Sequence, residues 1–514
     1  MKLPLGLFWL VILLVLSIQP IAAQSTSVFD AADCPFAVYY KRHVECGFLT
    51  VPENYAQPND RQIRLAVAIL RNPSTDTEAD PIIFLAGGPG QGVVEFAGFN
   101  FARRYDPFFE TNRDIIIFDQ RGVGLSEPSL DCPEYPDFLL DLFDLEIEGQ
   151  SMTRSESNLQ QQASLMVCGE RLAAQYDLSQ YNSAASARDI EELRVALGYE
   201  QVNLWSVSYG TRLALTMMRD YPDSIRSVIL DSTYPLEVNL FTDTATNWTR
   251  ALNTVFDACA SDERCNAAYP NLRDTFLALV DDLNENPVQI STINGNRDES
   301  IENVVLDGVL FQELNFGILY NSHRIPFLPE AIVNASEGNF GFYHSAISDS
   351  LTVYNYLSMG MYYAVQCQEE IAFLERGAIR AAYEAQPELQ VLVANGATHE
   401  SDFEICASFD AGVSAAIENE AVTSDIPTLI LAGRFDPVTP PQWGRRVHDS
   451  LSNSAYVEFP TLAHDVIYAD GCAERIAINF FIFPTTTPDA SCVDTLQMYF
   501  YTPDIAPLNQ SSAL

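Results

Sequence analysis

The chain is 514 residues long and 47% hydrophobic, with 28 Lys and Arg against 69 Asp and Glu and a net charge of −41. That balance excludes nucleic-acid binding, because no basic stripe is left to neutralise phosphates; it suits a soluble acidic surface that attracts cationic substrates. The length exceeds one ordinary domain and is ample for a large buried core.

Residues 1–23 read as a signal peptide. Lys2 precedes an apolar stretch over 3–16 that is too short to span a bilayer comfortably, and Ala22-Ala23 offers a cleavage point. An uncleaved anchor is the competing reading. All ten cysteines follow this segment, an even number that reads as five disulfides in an oxidising compartment. The expectation is a secreted, periplasmic or extracellular protein with no stable membrane association after signal removal. Pairing each cysteine with its neighbour gives Cys34–Cys46, Cys132–Cys168, Cys259–Cys265, Cys367–Cys406 and Cys472–Cys492, although sequence alone leaves connectivity open. Glycosylation sequons stand at Asn247, Asn334 and Asn509.

Next along the chain, Pro81-Ile82-Ile83-Phe84-Leu85-Ala86 reads as a buried strand and runs into Gly87-Gly88-Pro89-Gly90-Gln91-Gly92. No Gly-Lys-Ser/Thr follows, so this loop is neither a phosphate loop nor a dinucleotide fingerprint. A second strand over 113–118 ends in Asp119-Gln120-Arg121-Gly122-Val123-Gly124-Leu125-Ser126, and a helix is expected over 187–197. The strand Val202-Asn203-Leu204-Trp205 then breaks at Ser206-Val207-Ser208-Tyr209-Gly210, before a helix over 211–221. This is the nucleophile-elbow pattern: a strained strand-to-helix turn lifts the central serine above the sheet and frees the next N–H to face an oxyanion. Ser206 stands where glycine is usual and is small enough to fit. The bland alternative is a Ser/Gly loop of no chemical consequence.

A strand over 227–231 follows, and the alternation of strands and helices from 35 to 235 predicts a mostly parallel sheet with helices on both faces. That rhythm is lost between Asp231 and Ile426, where amphipathic helices over 248–260, 272–284 and 376–384 predict an inserted helical cap over 236–425. The α/β core, begun over 24–235, resumes over 426–514. A strand over 426–433 leads into Arg434-Phe435-Asp436-Pro437-Val438-Thr439-Pro440, and a strand over 455–459 precedes Leu462-Ala463-His464-Asp465.

Ser208, Asp436 and His464 thus each lie just past a predicted strand, in the Ser, Asp, His order of α/β-hydrolases. Of the rival histidines, His448 falls in a surface helix with basic and acidic neighbours, whereas His464 is on a loop free to point back at the serine. No His-x-x-x-His or Cys-x-x-Cys spacing occurs, so neither metal nor other cofactor is expected.

Taken together, Gly-Gly-Pro-Gly at 87–90, Asp-Gln-Arg-Gly-x-Gly-x-Ser at 119–126, Ser-x-Ser-Tyr-Gly-Thr at 206–211 and Asp-Pro-Val-Thr-Pro at 436–440 resemble the proline iminopeptidase and tripeptidyl aminopeptidase family of secreted serine exopeptidases, over roughly residues 35 to 500. The resemblance implies an α/β-hydrolase fold, Ser208 as acyl-enzyme nucleophile, His464 as general base and Asp436 as its orienter. It also implies oxyanion N–H groups at Tyr209 and Gly88, and peptide substrates with a free amino terminus. Ala86 departs from the histidine that many relatives carry there. In Tyr362-Tyr363-Ala364-Val365-Gln366-Cys367-Gln368-Glu369-Glu370 the resemblance points to an acidic anchor for the substrate's amino group. Adjacent Glu369 and Glu370 on a helix would face different ways, so one of them is expected to serve, with a solvated pair beside a disulfide as the alternative. A carboxylic-ester hydrolase could use the same machinery, and a non-catalytic binding protein could keep the same scaffold, although it would have no need of all three triad residues.

Overall fold

The computed structural model describes residues 27–503 apart from 39–41, 134, 136–142, 144, 148–149, 295–298 and 354–355. The expected signal segment 1–23 and the sequon at Asn509 lie outside them.

The strands in chain order are β1 (Val28–Ala32), β2 (His43–Pro52), β3 (Gln62–Arg71), β4 (Ile82–Leu85), β5 (Ile115–Phe118), a two-residue pair β6 (Glu146–Ile147) and β7 (Gln150–Ser151), β8 (Val202–Val207), β9 (Ile225–Asp231), β10 (Val288–Asn294), β11 (Glu299–Leu306), β12 (Thr428–Gly433) and β13 (Ser454–Phe459). Nine of them form one sheet in the order β1-β2-β3-β5-β4-β8-β9-β12-β13. From β5 to β13 every pairing is parallel. The central strands β4, β5, β8 and β12 are unbroken buried runs, as a sheet covered on both faces requires. The edge made by β1, β2 and β3 is antiparallel, including the β3–β5 pairing. The sequence reading did not resolve this edge, although β3 holds an unbroken buried run from Leu65 to Leu70.

Alternate side chains serve the two faces. Phe84, Trp205 and Val207 pack toward Phe101, Tyr105, Phe108 and the late helix described below, with Trp205 stacked on Phe108 at 4.1 Å. Ile83, Leu85 and Leu204 pack toward two helices, α2 (Ser183–Ala196) and α3 (Tyr209–Asp220), which follow α1 (Arg154–Ala173) in the chain. Thr153 starts α1 with a capping box to Glu156, which satisfies N–H groups that the first turn cannot.

Between β9 and β12 the chain leaves the sheet. Helices α4 (Leu240–Ser261), α5 (Leu272–Glu285) and α6 (Gly308–Tyr320) build a second apolar core around Phe256, Phe276, Phe311 and Tyr343; α7 (Met359–Glu369) packs instead with Leu165, Cys168 and Leu172 of α1, and α8 (Ala378–Glu384) returns to the second core. The expected all-helical insertion needs one correction: β10 and β11 form an antiparallel hairpin within it. Val288, Ile290, Thr292, Ile301, Val304 and Val305 are β-branched, and such residues fit a pleated surface better than a helix. After β12 come α9 (Pro441–Ser450), α10 (Val466–Ala469) and α11 (Gly471–Ile482), the last covering Trp205's face of the sheet. All five disulfides form between the expected neighbours, with sequence separations of 12, 36, 6, 39 and 20 residues.

Candidate active site

Ser208 follows β8 and precedes α3, with φ 57° and ψ −127°. A non-glycine residue reaches this region only under strain, the mark of a serine held on a tight strand-to-helix turn. Close packing explains the neighbouring small residues. A Cβ on Gly210 would come within 2.1 Å of the Leu85 carbonyl oxygen, and one on Gly87 within 3.0 Å of the Ser208 Cβ. Ser206, in place of the usual glycine, is buried and donates its hydroxyl to the Ile229 carbonyl at 2.6 Å.

Asp436, past β12, and His464, past β13, meet directly: His464 Nδ1 lies 2.8 Å from Asp436 Oδ2. The carboxylate also accepts the Val438 and Thr439 N–H groups at 2.9 and 2.8 Å and the Thr439 hydroxyl at 2.7 Å. These donors and the nearby imidazole outweigh burial and hold the Asp436 carboxyl below the usual carboxylate range, so it is ionised at neutral pH. Burial alone would lower the His464 pKa, but Asp436, then Asp465 and Asp231, raise it above its ordinary value. The Tyr320 ring, from the end of α6, stands edge-on to His464 at 5.2 Å. His448, the rival, sits on α9 with its Nδ1 2.8 Å from the Ser454 hydroxyl.

Ser208 and the His464 segment are tied to one point of the sheet. The Ser208 amide donates to the Asp231 carbonyl at 3.0 Å, and the Asp465 amide donates to the neighbouring Ser232 hydroxyl at 2.9 Å.

The glycine loop after β4 approaches Ser208 at Gly87; Gly88 and Gly90 follow with φ 106° and 96°, values glycine adopts without cost. An insertion segment clamps this loop: Gly92 donates to Tyr356 O at 2.9 Å and Ser358 donates to Gly90 O at 2.8 Å. From below, Asp119 accepts the Val93, Val94 and Leu125 N–H groups at 2.7, 3.0 and 2.9 Å. Burial pushes the Asp119 carboxyl up to about 6. Arg121 of the same motif forks onto Asp189 at 2.7 and 2.6 Å, fully buried. The Asp-Gln-Arg-Gly motif is therefore scaffold for the loop and for α2. Tyr209, whose N–H opens α3, turns its hydroxyl away to Ser183 Oγ at 2.9 Å.

The expectation of an acidic anchor for the substrate's amino group at Glu369 or Glu370 meets a pair whose charge is already matched within the protein. Helix α7 ends at Glu369, and Glu370 leaves it with φ −123° and ψ −66°, so the two do not diverge as helical neighbours would. Both are buried and converge on Arg212, at 3.0 Å and 3.1 Å. Glu369 also accepts the Ser183 N–H at 2.7 Å and hydroxyl at 2.8 Å. Glu370 accepts the Leu240 N–H at 3.0 Å, and burial pushes its carboxyl up to about 7 against the pull of Arg212 and Tyr234. Among the described residues, no group of three or more His, Cys, Asp or Glu is arranged to hold a metal ion.

A strained serine on a strand-to-helix turn, with an Asp–His pair past later strands of one mostly parallel sheet, defines an α/β hydrolase. Comparison with known families agrees: residues 80–264 match the α/β-hydrolase fold and residues 391–492 match the TAP-like protein family. The fold is that of the α/β hydrolases, and the C-terminal part of the chain is similar to TAP-like proteins, as its motifs led us to expect. It is 30% identical over 221 residues to a tripeptidyl aminopeptidase of Streptomyces lividans, a match covering 41% of this chain and 39% of that protein. It is 23% identical over 471 residues to the serine protease Hip1 of Mycobacterium tuberculosis, covering 87% and 86%. The crystal structure of a proline iminopeptidase from Mycobacterium smegmatis aligns with a TM-score of 0.40 at 15% identity, over 85% of this chain and 98% of that one.

Proposed function

We propose that the protein is a secreted serine exopeptidase that releases short amino-terminal units from peptides. The observation that carries the reading is the Asp436–His464 pair, polarised at 2.8 Å, set against a serine held at positive φ on the adjoining elbow. Ser208 attacks the scissile carbonyl while His464 takes its proton; Asp436 fixes the imidazole and stabilises the imidazolium. The Tyr209 and Gly88 N–H groups hold the oxyanion, and water then cleaves the acyl-enzyme. The insertion over 236–425 acts as the cap that selects substrate.

For the substrate's amino group, Glu313 is better placed than Glu369 or Glu370. Glu313, Phe316, Gly317 and Tyr320 share one face of α6, and Tyr320 abuts His464. The Glu313 side chain stays solvent-accessible and has no hydrogen bond or close ion pair among the described residues, yet surrounding protein raises its pKa. Glu313 and Tyr320 are about 10 Å apart along the helix, a span an extended peptide covers in about three residues.

The test is two-part. Fluorophosphonate should label the wild-type protein at Ser208. A free-amino tripeptide anilide should be cleaved far faster than its N-acetylated twin, and Glu313→Gln should cost about 10- to 100-fold in kcat/KM on the free substrate alone, the worth of one charge-assisted hydrogen bond. Equal cleavage of free and blocked substrates would replace the exopeptidase by an esterase or endo-acting enzyme; no labelling would leave a binding scaffold.

A further inference from the structure

Asp231 is the last residue of β9, wholly buried, and carries no motif that would single it out. Its carboxylate reaches across the carboxyl edge of the sheet to the segment after His464. Oδ1 accepts the Val466 N–H at 3.0 Å and Oδ2 the Ile467 N–H at 2.9 Å. These are the first two amides of α10, which its own cap residue, Asp465, leaves without a side-chain acceptor. Ser232 extends the bridge: its hydroxyl donates to Asp231 Oδ1 at 3.1 Å and accepts the Asp465 N–H at 2.9 Å. Three consecutive amides following His464 are thus held by two consecutive residues of β9's end. The same Asp231 supplies the carbonyl that receives the Ser208 amide.

We propose that Asp231 is a positioning residue for the reaction: it locks the His464 segment to the strand end that also anchors the nucleophile elbow, fixing the imidazole's approach to Ser208. The inference rests on the reading of Ser208 and His464 as nucleophile and base. Asp465 is in αL conformation at φ 57°, a geometry that a free loop would relax, and it pairs with the partly buried Arg104 guanidinium. Arg104 in turn lies over the Phe84 ring of β4 at 5.2 Å and over the Tyr468 ring of α10 at 4.7 Å. Asp231 and Arg104 therefore grip the segment from two sides. A buried carboxylate is suited to this task because it offers a separate acceptor oxygen to each of two neighbouring N–H groups and strengthens both bonds with its charge, whereas an amide has one acceptor oxygen and no charge.

The variant Asp231→Asn keeps size and one acceptor but presents an NH₂ to an N–H that loses its partner. The imidazole is expected to shift, with kcat falling about 10- to 100-fold, the usual cost of a small misplacement, while KM stays within about threefold. The acid limb of kcat/KM should also move to lower pH. The charged and polar groups facing His464 are Asp436, Asp465, Asp231, the Thr439 hydroxyl and the Tyr320 ring. Asp231 itself faces Asp465, His464 and Arg104. Removing one of the carboxylates that raise the His464 pKa must lower it.

Rates are normalised to fluorophosphonate-titrated sites, so a loss of folded protein does not register as a loss of kcat. Ser232→Ala removes the hydroxyl that bridges Asp231 and the Asp465 N–H and serves if Asp231→Asn does not fold; it should lower kcat per titrated site by a few-fold. Wild-type kcat and an unmoved acid limb in Asp231→Asn, or in Ser232→Ala where that variant stands in, overturn the proposal. Failure of the wild-type enzyme to take the label would instead overturn the nucleophile assignment beneath it.

Discussion

Replacing Arg212 by Met tests the largest buried charge cluster beside the site. Arg212 lies one turn into α3, donating from Nε to Glu369 at 3.0 Å and from Nη1 to the Pro235 and Leu236 carbonyls at 3.1 and 3.2 Å, with Glu370 at 3.1 Å. All three charged residues are at most 1% exposed, so solvent cannot substitute for the lost cation. Breaking a buried pair by removing one partner costs about 3–5 kcal/mol, a large share of the roughly 5–15 kcal/mol that holds a typical fold. The loss should depend on pH. Without Arg212 the folded-state pKa of Glu370 rises further above the unfolded value of about 4.3. The stability of such groups is fully present below that value and is lost as pH rises through the folded pKa, already about 7 for Glu370 with Arg212 in place. Urea and thermal unfolding of the disulfide-intact protein should therefore show a small deficit for Arg212→Met near pH 5 and the full deficit near pH 8. Adding Glu369→Gln and Glu370→Gln to the same chain should recover most of it. A deficit of equal size at both pH values, or none at pH 8, refutes the assignment of this cluster as a charge-balanced prop beneath α3.

Ser208→Ala should abolish turnover, a loss on the order of 10⁶ in kcat, with unfolding midpoints unchanged; His464→Ala should be comparably severe and His448→Ala mild in the same assay. Because Asp436, Asp465 and Asp231 raise the His464 pKa, and the base must be neutral, activity should climb with pH through a value above the ordinary histidine range of about 6.5. Asp436→Asn should bring that acid limb down while lowering kcat, measured as kcat/KM against pH. Non-reducing peptide mapping should recover all five neighbour pairs, and reduction should loosen the insertion and the termini before the sheet, which has apolar cores on both faces.

What the sequence disclosed tracks how local each signal is. The elbow, the glycine loop and the Asp436 and His464 turns are short segments whose residue types are dictated by backbone strain and close approach, so they can be read without partners. Gly210 illustrates this: its identity follows from a 2.1 Å approach to Leu85 that any side chain would obstruct. Glu369 could not be read in the same way, because its meaning depends on Arg212, 157 residues earlier. Viewed alone, two adjacent glutamates near a predicted cap look like an ammonium site; viewed with their partner, their charge is already spoken for. The β10–β11 hairpin was hidden for another reason, lying inside a span whose overall periodicity is helical.

Three aspartates at the carboxyl ends of strands show why position alone does not assign chemistry. Asp119, Asp231 and Asp436 follow or end β5, β9 and β12, and each accepts at least two backbone N–H groups: Val93, Val94 and Leu125; Val466 and Ile467; Val438 and Thr439. Burial raises the first two, to about 6 and about 7, whereas Asp436 is lowered. The difference is the imidazole: only Asp436 has His464 in hydrogen-bonding contact, so only there does the attraction between opposite charges, with the hydrogen bonds, outweigh burial. The other two face backbone amides, and Asp231 has the Asp465 carboxylate as a neighbour. Their carboxylates spend their acceptor capacity on holding loops. One residue type in one place on the sheet thus yields an orienter of the base or a loop latch according to what the distant chain brings to it.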